Sequence, residues 1–177
     1  MVENMPILPE SAKAYIGVQS ETEIACECVE RGAVRRYAQA IMDDDPIYWK
    51  EGEASARYGG PVAPALFPTH MFRRPLGTPD PVQECAHDPN YDGSTKLRGG
   101  LPEIEPLKEF SVMNGGSEIE FYRYARHGET VKLHARYVDI FEKSSSKGPM
   151  ILIISETDYV NGDDELLMRV RHTRIRR

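Results

Sequence analysis

The stretch "MILIISETDYVNGDDELLMRVRHTRIRR", Met150 to Arg177, decides the fold. It opens on Met150 to Ile154, the longest uninterrupted apolar run in the 177-residue chain, and then turns amphipathic. So short a run, rich in β-branched residues, reads as a buried central strand. "NGDDE" has the chemistry of a hairpin turn, and in "LLMRVRHTRIRR" the alternation resumes with Met168 and Val170 on one face. Strands joined by a turn of this length pair antiparallel.

The residues before it continue the theme. In "TVKLHARYVDIF", Thr130 to Phe141, Val131, Leu133 and Ala135 share a face; Val138 and Ile140 then switch parity, which predicts a bulge near Tyr137. In "SEIEFYRY", Ser117 to Tyr124, Ile119 and Phe121 share a face. Asn114-Gly115-Gly116 before that strand suits a bulge or a close backbone approach.

The first half has a different texture. A short amphipathic helix is predicted over Pro9 to Tyr15, and "TEIACECVE", Thr22 to Glu30, has strand composition. From Arg31, Val34, Tyr37, Ala38 and Ile41 recur at helical spacing, and that helix must stop before Pro46. A further short helix is predicted over Trp49 to Tyr58 and a third from Pro64, where a missing N–H suits the first turn, with Pro68 marking a kink or an end. Residues 75–110 are rich in proline and glycine and read as an irregular loop, either the entrance to a site or a disordered segment. Short helices followed by long antiparallel strands indicate an α+β fold in one domain spanning residues 1–177.

A formal net charge of −6 argues against a general binder of nucleic acid or anionic membranes. No segment has the ~18–20 consecutive apolar residues of a membrane span. "MVENMPILPESAKAY" lacks the charged start and apolar core of a signal peptide, and three cysteines form an odd set, so a reducing cytoplasm is expected. Cys26-x-Cys28 is no zinc spacing; at period two both thiols are expected to pack on one strand face, and no metal is expected.

"VERGAVRRYAQAIMDDDPIYW", Val29 to Trp49, with "ARYGGPVAPALF", Ala56 to Phe67, then "NGGSEIEFYRYARHGETV" and "ARYVDIFEKSSSKGPMILIISETDYVN", resembles the MaoC-like dehydratases, in particular their amino-terminal or fatty-acid-synthase-like type. The resemblance covers most of residues 16–177 and implies a hot-dog fold, an antiparallel sheet wrapped round a central helix, here the one from Pro64. Active members, the (R)-specific enoyl-CoA hydratases and 3-hydroxyacyl dehydratases, carry Gly-Asp-x-Asn-Pro-(Ile/Leu)-His. In the "AIMDDDPIYWK" segment Met42 takes the glycine position, Asp43 the catalytic aspartate, Asp45 the asparagine, Pro46 the proline, Ile47 the aliphatic residue and Tyr48 the histidine.

Hydrating a 2-enoyl thioester needs a base for water, an acid for the α-carbon and donors for the thioester oxygen. The resemblance implies Asp43 as the catalytic carboxylate, with Tyr48 in place of its imidazole partner, and Ala65 and Leu66 N–H groups as oxyanion donors. A tyrosine, whose ordinary pKa is ~10, is a poor proton acceptor near pH 7 but can donate a hydrogen bond. Asp44 and Asp45 are expected to be solvated or to cap turn amides. His70, five residues after Ala65, is either a core residue or a substitute donor; Asn114 and Gly115 are further substrate-binding candidates. The basic run Arg169, Arg171, Arg174, Arg176 and Arg177 either meets phosphates of coenzyme A or of an acyl carrier's prosthetic arm, or guards a solvated edge strand.

Two hot dogs usually work together in this family. The resemblance implies a subunit that binds an acyl-CoA or acyl-carrier thioester, without a cofactor, while a second hot-dog subunit supplies the full Asp/His pair. A homodimeric hydro-lyase using Asp43 with Tyr48 or His70, and a non-enzymatic acyl-thioester binding module, are the alternatives.

Overall fold

The structure, a computed structural model, describes residues 6–72, 77–89, 100–146 and 148–177. In chain order the elements are α1 (Glu10–Lys13), β1 (Glu23–Ile24), α2 (Arg31–Ala40), α3 (Glu53–Ala56), α4 (Pro81–Cys85), β2 (Val112–Phe121), β3 (Val131–Ser145), β4 (Gly148–Asn161) and β5 (Leu166–Arg176). Short 3-10 turns cover Pro46–Tyr48, Phe67–His70 and Glu105–Leu107. The strands form one sheet in the order β1-β3-β4-β5-β2. The residues group into two compact units, one of Met1–Glu23, Gly99–Arg123 and Lys132–Arg177, the other of Ile24–Arg98 and Tyr124–Val131.

The first unit is built on the β4–β5 hairpin that the sequence predicts. Its register runs antiparallel from Ile151 opposite Arg176 to Val160 opposite Leu166, with an irregularity at Tyr159/Val160. Asn161 closes the turn: its side-chain oxygen accepts the N–H groups of Asp163 and Glu165 at 3.1 and 2.8 Å. Asp164 adopts φ 64°, the left-handed conformation such turns require. Along β3 the buried residues are Val131, Leu133, Ala135 and Tyr137, then Ile140, so the inward parity changes just past Tyr137. At that change Asp139 Oδ1 accepts the Ile140 N–H at 2.8 Å. Buried Tyr137 donates its hydroxyl to the Pro102 carbonyl at 2.8 Å, tying residue 102 to the sheet.

β5 is not an edge. It lies between β4 and β2, and its arginines are largely spoken for. Arg171 and Arg136 each donate to one oxygen of buried Glu156, both at 2.6 Å, and Arg169 grips both oxygens of Asp158 at 2.6 and 2.7 Å. Arg176, also buried, donates to the Phe110 carbonyl at 2.9 Å. Neither sequence alternative for the basic run therefore fits Arg169 and Arg171, whose charges are balanced by carboxylates on the neighbouring strand.

The edge on this side is β2, and all ten of its residues are exposed. Phe121 is 51% exposed although its register partner Met168, on the same sheet face, is 1% exposed. The sheet's apolar face thus runs onto β2 without cover. Asn114–Gly116 forms a bulge in the β2–β5 ladder, and a Cβ on Gly115 would stand 2.8 Å from Thr173 Cγ2 and 3.0 Å from the Thr173 carbonyl oxygen. The close approach expected at this glycine is to β5.

In the second unit α2 buries Val34 and Ala38, as its periodicity requires. The helix expected from Pro64 does not form. Phe67 N–H bonds to the Pro64 carbonyl, Thr69 to Leu66 and Met71 to Pro68, a run of i to i−3 bonds that makes a 3-10 turn. Pro68 has no N–H to return to residue 64, and its ring would crowd that carbonyl in an α-helix. The strand expected over Thr22 to Glu30 is also shortened to Glu23–Ile24. Ala25 and Val29 hold the segment by N–H bonds to the Val131 and Glu129 carbonyls, both at 2.9 Å, and Cys26 and Cys28 are exposed. The thiols therefore do not pack as predicted, because the chain bends at Cys26 before alternation can continue. The middle of the 75–110 loop, residues 90–99, and its first two residues, 75–76, lie outside the described residues.

Two outcomes are expected. Gly115→Ala, which forces the ladder apart at Thr173, lowers unfolding free energy by about 1 to 3 kcal/mol in chemical denaturation. For Glu156, burial raises the carboxyl's pKa but the hydrogen bonds and charges of Arg136 and Arg171 outweigh it, and Asp158 is held down in the same way by Arg169. Folded values below the unfolded ones mean stability present above the ordinary carboxylate range of ~4 and lost as pH falls through the folded values. Thermal melts from pH 7 to 2.5 should show this acid limb, and Glu156→Gln should flatten it.

Candidate active site

The site begins where α2 stops. The Met42 N–H bonds to the Gln39 carbonyl at 3.2 Å and the Asp43 N–H to the Ala38 carbonyl at 3.0 Å. With Met42 at φ 57° these are the paired bonds of a Schellman stop, whose left-handed residue is usually glycine. Here it is a methionine, at the position that the dehydratase resemblance sets against a glycine. Its side chain is 92% exposed, so no packing offsets the strained backbone.

The stop delivers Asp43 directly beside the helix end. Asp43 Oδ1 accepts the Asp45 N–H at 3.2 Å, and Asp45 Oδ1 in turn accepts the Ile47 N–H at 3.0 Å, capping the 3-10 turn that Pro46 opens. That turn carries Tyr48 back over Asp43, and the Tyr48 hydroxyl donates to Asp43 Oδ2 at 2.9 Å. Sequence reasoning sets Asp43 beside Tyr48 and leaves Asp45 either solvated or capping a turn amide; the two side chains do meet, and Asp45 caps. Tyr48 is 7% exposed. Burial, then the hydrogen bond to Asp43 and that carboxylate's charge, push its phenol well above the usual tyrosine range. The phenol remains a donor at neutral pH.

Asp43 and Tyr48 open onto a groove of about 880 Å³ whose apolar lining includes Ala38, Met42 and Trp49. Arg31, Arg35 and Gln39 line it as well, a polar stripe at four-residue spacing on α2. That stripe was readable in the sequence as a helix face, but nothing marked it as facing a groove rather than solvent.

The remaining candidates stand elsewhere. Among the described residues no acceptor is found for the Ala65 or Leu66 N–H, as an oxyanion role needs, but both precede a 3-10 turn and neither lines the Asp43 groove. The His70 ring leans on Tyr37, with centroids 4.8 Å apart, and Tyr37 meets Phe67 edge-on at 5.5 Å. His70 does not line the groove either. Asn114 and Gly115 belong to the β2 bulge, where Asn114 Oδ1 accepts the Gly116 N–H at 2.8 Å. Among the described residues no group of three or more His, Cys, Asp or Glu side chains is placed to hold a metal ion.

Residues 14–170 match the family described as "FAS1-like, dehydratase domain region". The chain belongs to that family. Its sheet and sparse helices are those of the MaoC-like hot-dog fold, and solved structures agree across nearly the whole chain. The ChsH1–ChsH2 complex from Mycobacterium tuberculosis is 22% identical, with a TM-score of 0.64 over 93% of this chain and 85% of that one. A MaoC-like dehydratase from Rhodospirillum rubrum is 19% identical, with a TM-score of 0.53 over 92% and 93%. The C-terminally truncated HadBC (3R-hydroxyacyl-ACP dehydratase) complex from Mycobacterium tuberculosis is 17% identical, with a TM-score of 0.54 over 91% and 96%. No curated protein matches the sequence. Among the described residues no helix is long and apolar enough to cross a membrane.

The Schellman stop yields a direct expectation for this FAS1-like dehydratase chain. Met42→Gly removes the penalty of a left-handed non-glycine residue and should raise unfolding free energy by about 1 kcal/mol, measured by urea denaturation. A drop in stability would show that the thioether, despite its exposure, contributes packing.

Proposed function

We propose that this chain is the substrate-binding subunit of an (R)-specific enoyl-thioester hydratase or 3-hydroxyacyl-thioester dehydratase, working beside a second hot-dog chain that carries the full Asp/His pair. The observation that carries the reading is the closed bond from Tyr48 to Asp43. Hydration requires a group that takes a proton from water as oxygen attacks the β-carbon, and a group that returns one to the α-carbon. An imidazole can do both near neutral pH. A phenol whose proton is held this firmly gives no base, and each oxygen of Asp43 already accepts a hydrogen bond from its own turn.

What the chain retains is a place for substrate. Its groove offers apolar walls at Ala38, Met42 and Trp49 for an acyl chain. The uncovered face of β2, where Val112, Ile119 and Phe121 are exposed, favours a second subunit. An edge strand with apolar residues on view is a standing invitation to pair. The ChsH1–ChsH2 and HadBC structures are themselves complexes, which supports a second subunit here.

One observation favours a second reading, a self-sufficient homodimeric hydro-lyase: Asp43 and Tyr48 do meet, at 2.9 Å, on the wall of a groove. The purified chain should leave crotonyl-CoA and longer 2-enoyl-CoAs unhydrated on its own and support hydration when joined by a hot-dog subunit with an intact Asp/His pair. Turnover by the chain alone that Asp43→Asn abolishes would establish the second reading. Acyl-CoA binding without turnover in either setting would leave a non-enzymatic binding module.

A further inference from the structure

The outer face of the sheet carries charges that alternate in sign from strand to strand. In one row Arg136 of β3 and Arg171 of β5 hold Glu156 of β4 between them, and Glu118 of β2 stands opposite Arg171 in the register. In the neighbouring row Asp158 of β4 takes Arg169 of β5, and Glu120 of β2 stands opposite Arg169. Each row therefore ends on a carboxylate at the β2 edge. Arg171 and Arg169 are already committed to Glu156 and Asp158, and among the described residues neither Glu118 nor Glu120 forms an ion pair. Glu120 accepts only the Tyr122 hydroxyl, at 2.5 Å. The inner face of the same strand carries no charge: Val112, Ile119 and Phe121 are exposed there, beside a Ser117 whose Oγ is hydrogen-bonded to His172 Nδ1 at 2.8 Å.

We infer that β2 rejects a second copy of this chain and takes the edge strand of a different one, with apolar side chains inward and Lys or Arg at the two outward positions that face Glu118 and Glu120. Two copies of β2 would meet antiparallel about a two-fold axis, so every alignment is symmetric about one point. The regular ladder of β2 covers residues 117–121, past the Asn114–Gly116 bulge. With the axis on Ile119, Glu118 of each copy faces Glu120 of the other. With the axis on Glu118 or Glu120, that glutamate faces its own copy. An axis on Ser117 runs the second strand into the bulge and sets inward Phe121 against outward Met113. An axis between two residues makes the apolar face of one copy continuous with the charged face of the other. Like charges directly opposite in an antiparallel pair destabilise it, with Cβ atoms only ~4.5–5.5 Å apart. Basic residues in those places instead carry the alternation of sign onto a sixth strand. Charges on an edge strand guard against unwanted pairing; because these two lie on one face and share one sign, they exclude some strands and admit others. This inference rests on the second-subunit reading above and gives that subunit's edge its chemistry.

The test uses a charge-reversed form of this chain as the complementary probe. The double variant Glu118→Lys, Glu120→Lys keeps the apolar face of β2 and reverses its outward charges at exposed positions. Sedimentation equilibrium compares wild type, the double variant and an equimolar mixture at low and high salt. Both chains remain acidic overall, so net charge does not draw them together. The mixed pair, in which each glutamate meets an ammonium group, should associate about tenfold or more tighter than either self-pair, and high salt should narrow that gain. Ile119→Asp introduced into both chains should abolish it. A mixed pair no tighter than the wild-type self-pair overturns the inference, and so does a gain that survives Ile119→Asp, because the contact then lies on another face. None of these samples contains the second subunit or a thioester, so the hydration assay above decides the second-subunit reading independently.

Discussion

The antiparallel ladder between β4 and β5 is the constraint on which the sheet depends. Both strands are paired on each side, β4 with β3 and β5 with β2, so every other long strand takes its place from this hairpin. Its sequence meets two demands at once. One face supplies Ile151, Ile153, Tyr159 and Met168 to the core, while the other brings Glu156 and Asp158 against arginines of β3 and β5. A carboxylate as enclosed as Glu156 is tolerable only because two guanidiniums reach it. The charged face is therefore a property of three strands together, and substituting one partner leaves the others exposed to that cost.

The second constraint is more local and concerns chemistry. A helix that ends in a Schellman stop must place its next residue at a fixed angle, and here that residue is Asp43. From there the chain closes a small ring: Asp43 takes the Asp45 amide, Asp45 takes the Ile47 amide, and Tyr48 returns to Asp43. The same carboxylate that could activate water is thus a structural member of the turn. The Tyr48 phenol completes that ring as a donor whose proton burial and the Asp43 carboxylate hold in place at neutral pH.

Where local composition determines structure, the sequence was readable. The apolar run at Met150, the Asn-Gly turn and the stripe of Val34 and Ala38 each announce their element, because the information lies within a few residues. The departures come from interactions between residues distant in sequence or from backbone effects that composition hides. The arginines of β5 looked like an edge's defence because their carboxylate partners sit on another strand. Pro68 looked like the kink of a helix and instead reset the hydrogen bonding to 3-10. The pairing of Asp43 with Tyr48 was legible through the dehydratase resemblance.

The strand order has a consequence for how the chain acquires its shape. β2, made before β3 and β4, has its partner in β5, made after them. Until residues 166–176 exist, Val112 to Phe121 has no strand to join and β4 has one side open. Two apolar edges thus stay available at once during synthesis, a period in which a neighbouring nascent chain could pair with either. β5 fills the open side of β4 and gives β2 its partner in one step, so completion of this sheet is a single late event rather than a gradual accretion of strands.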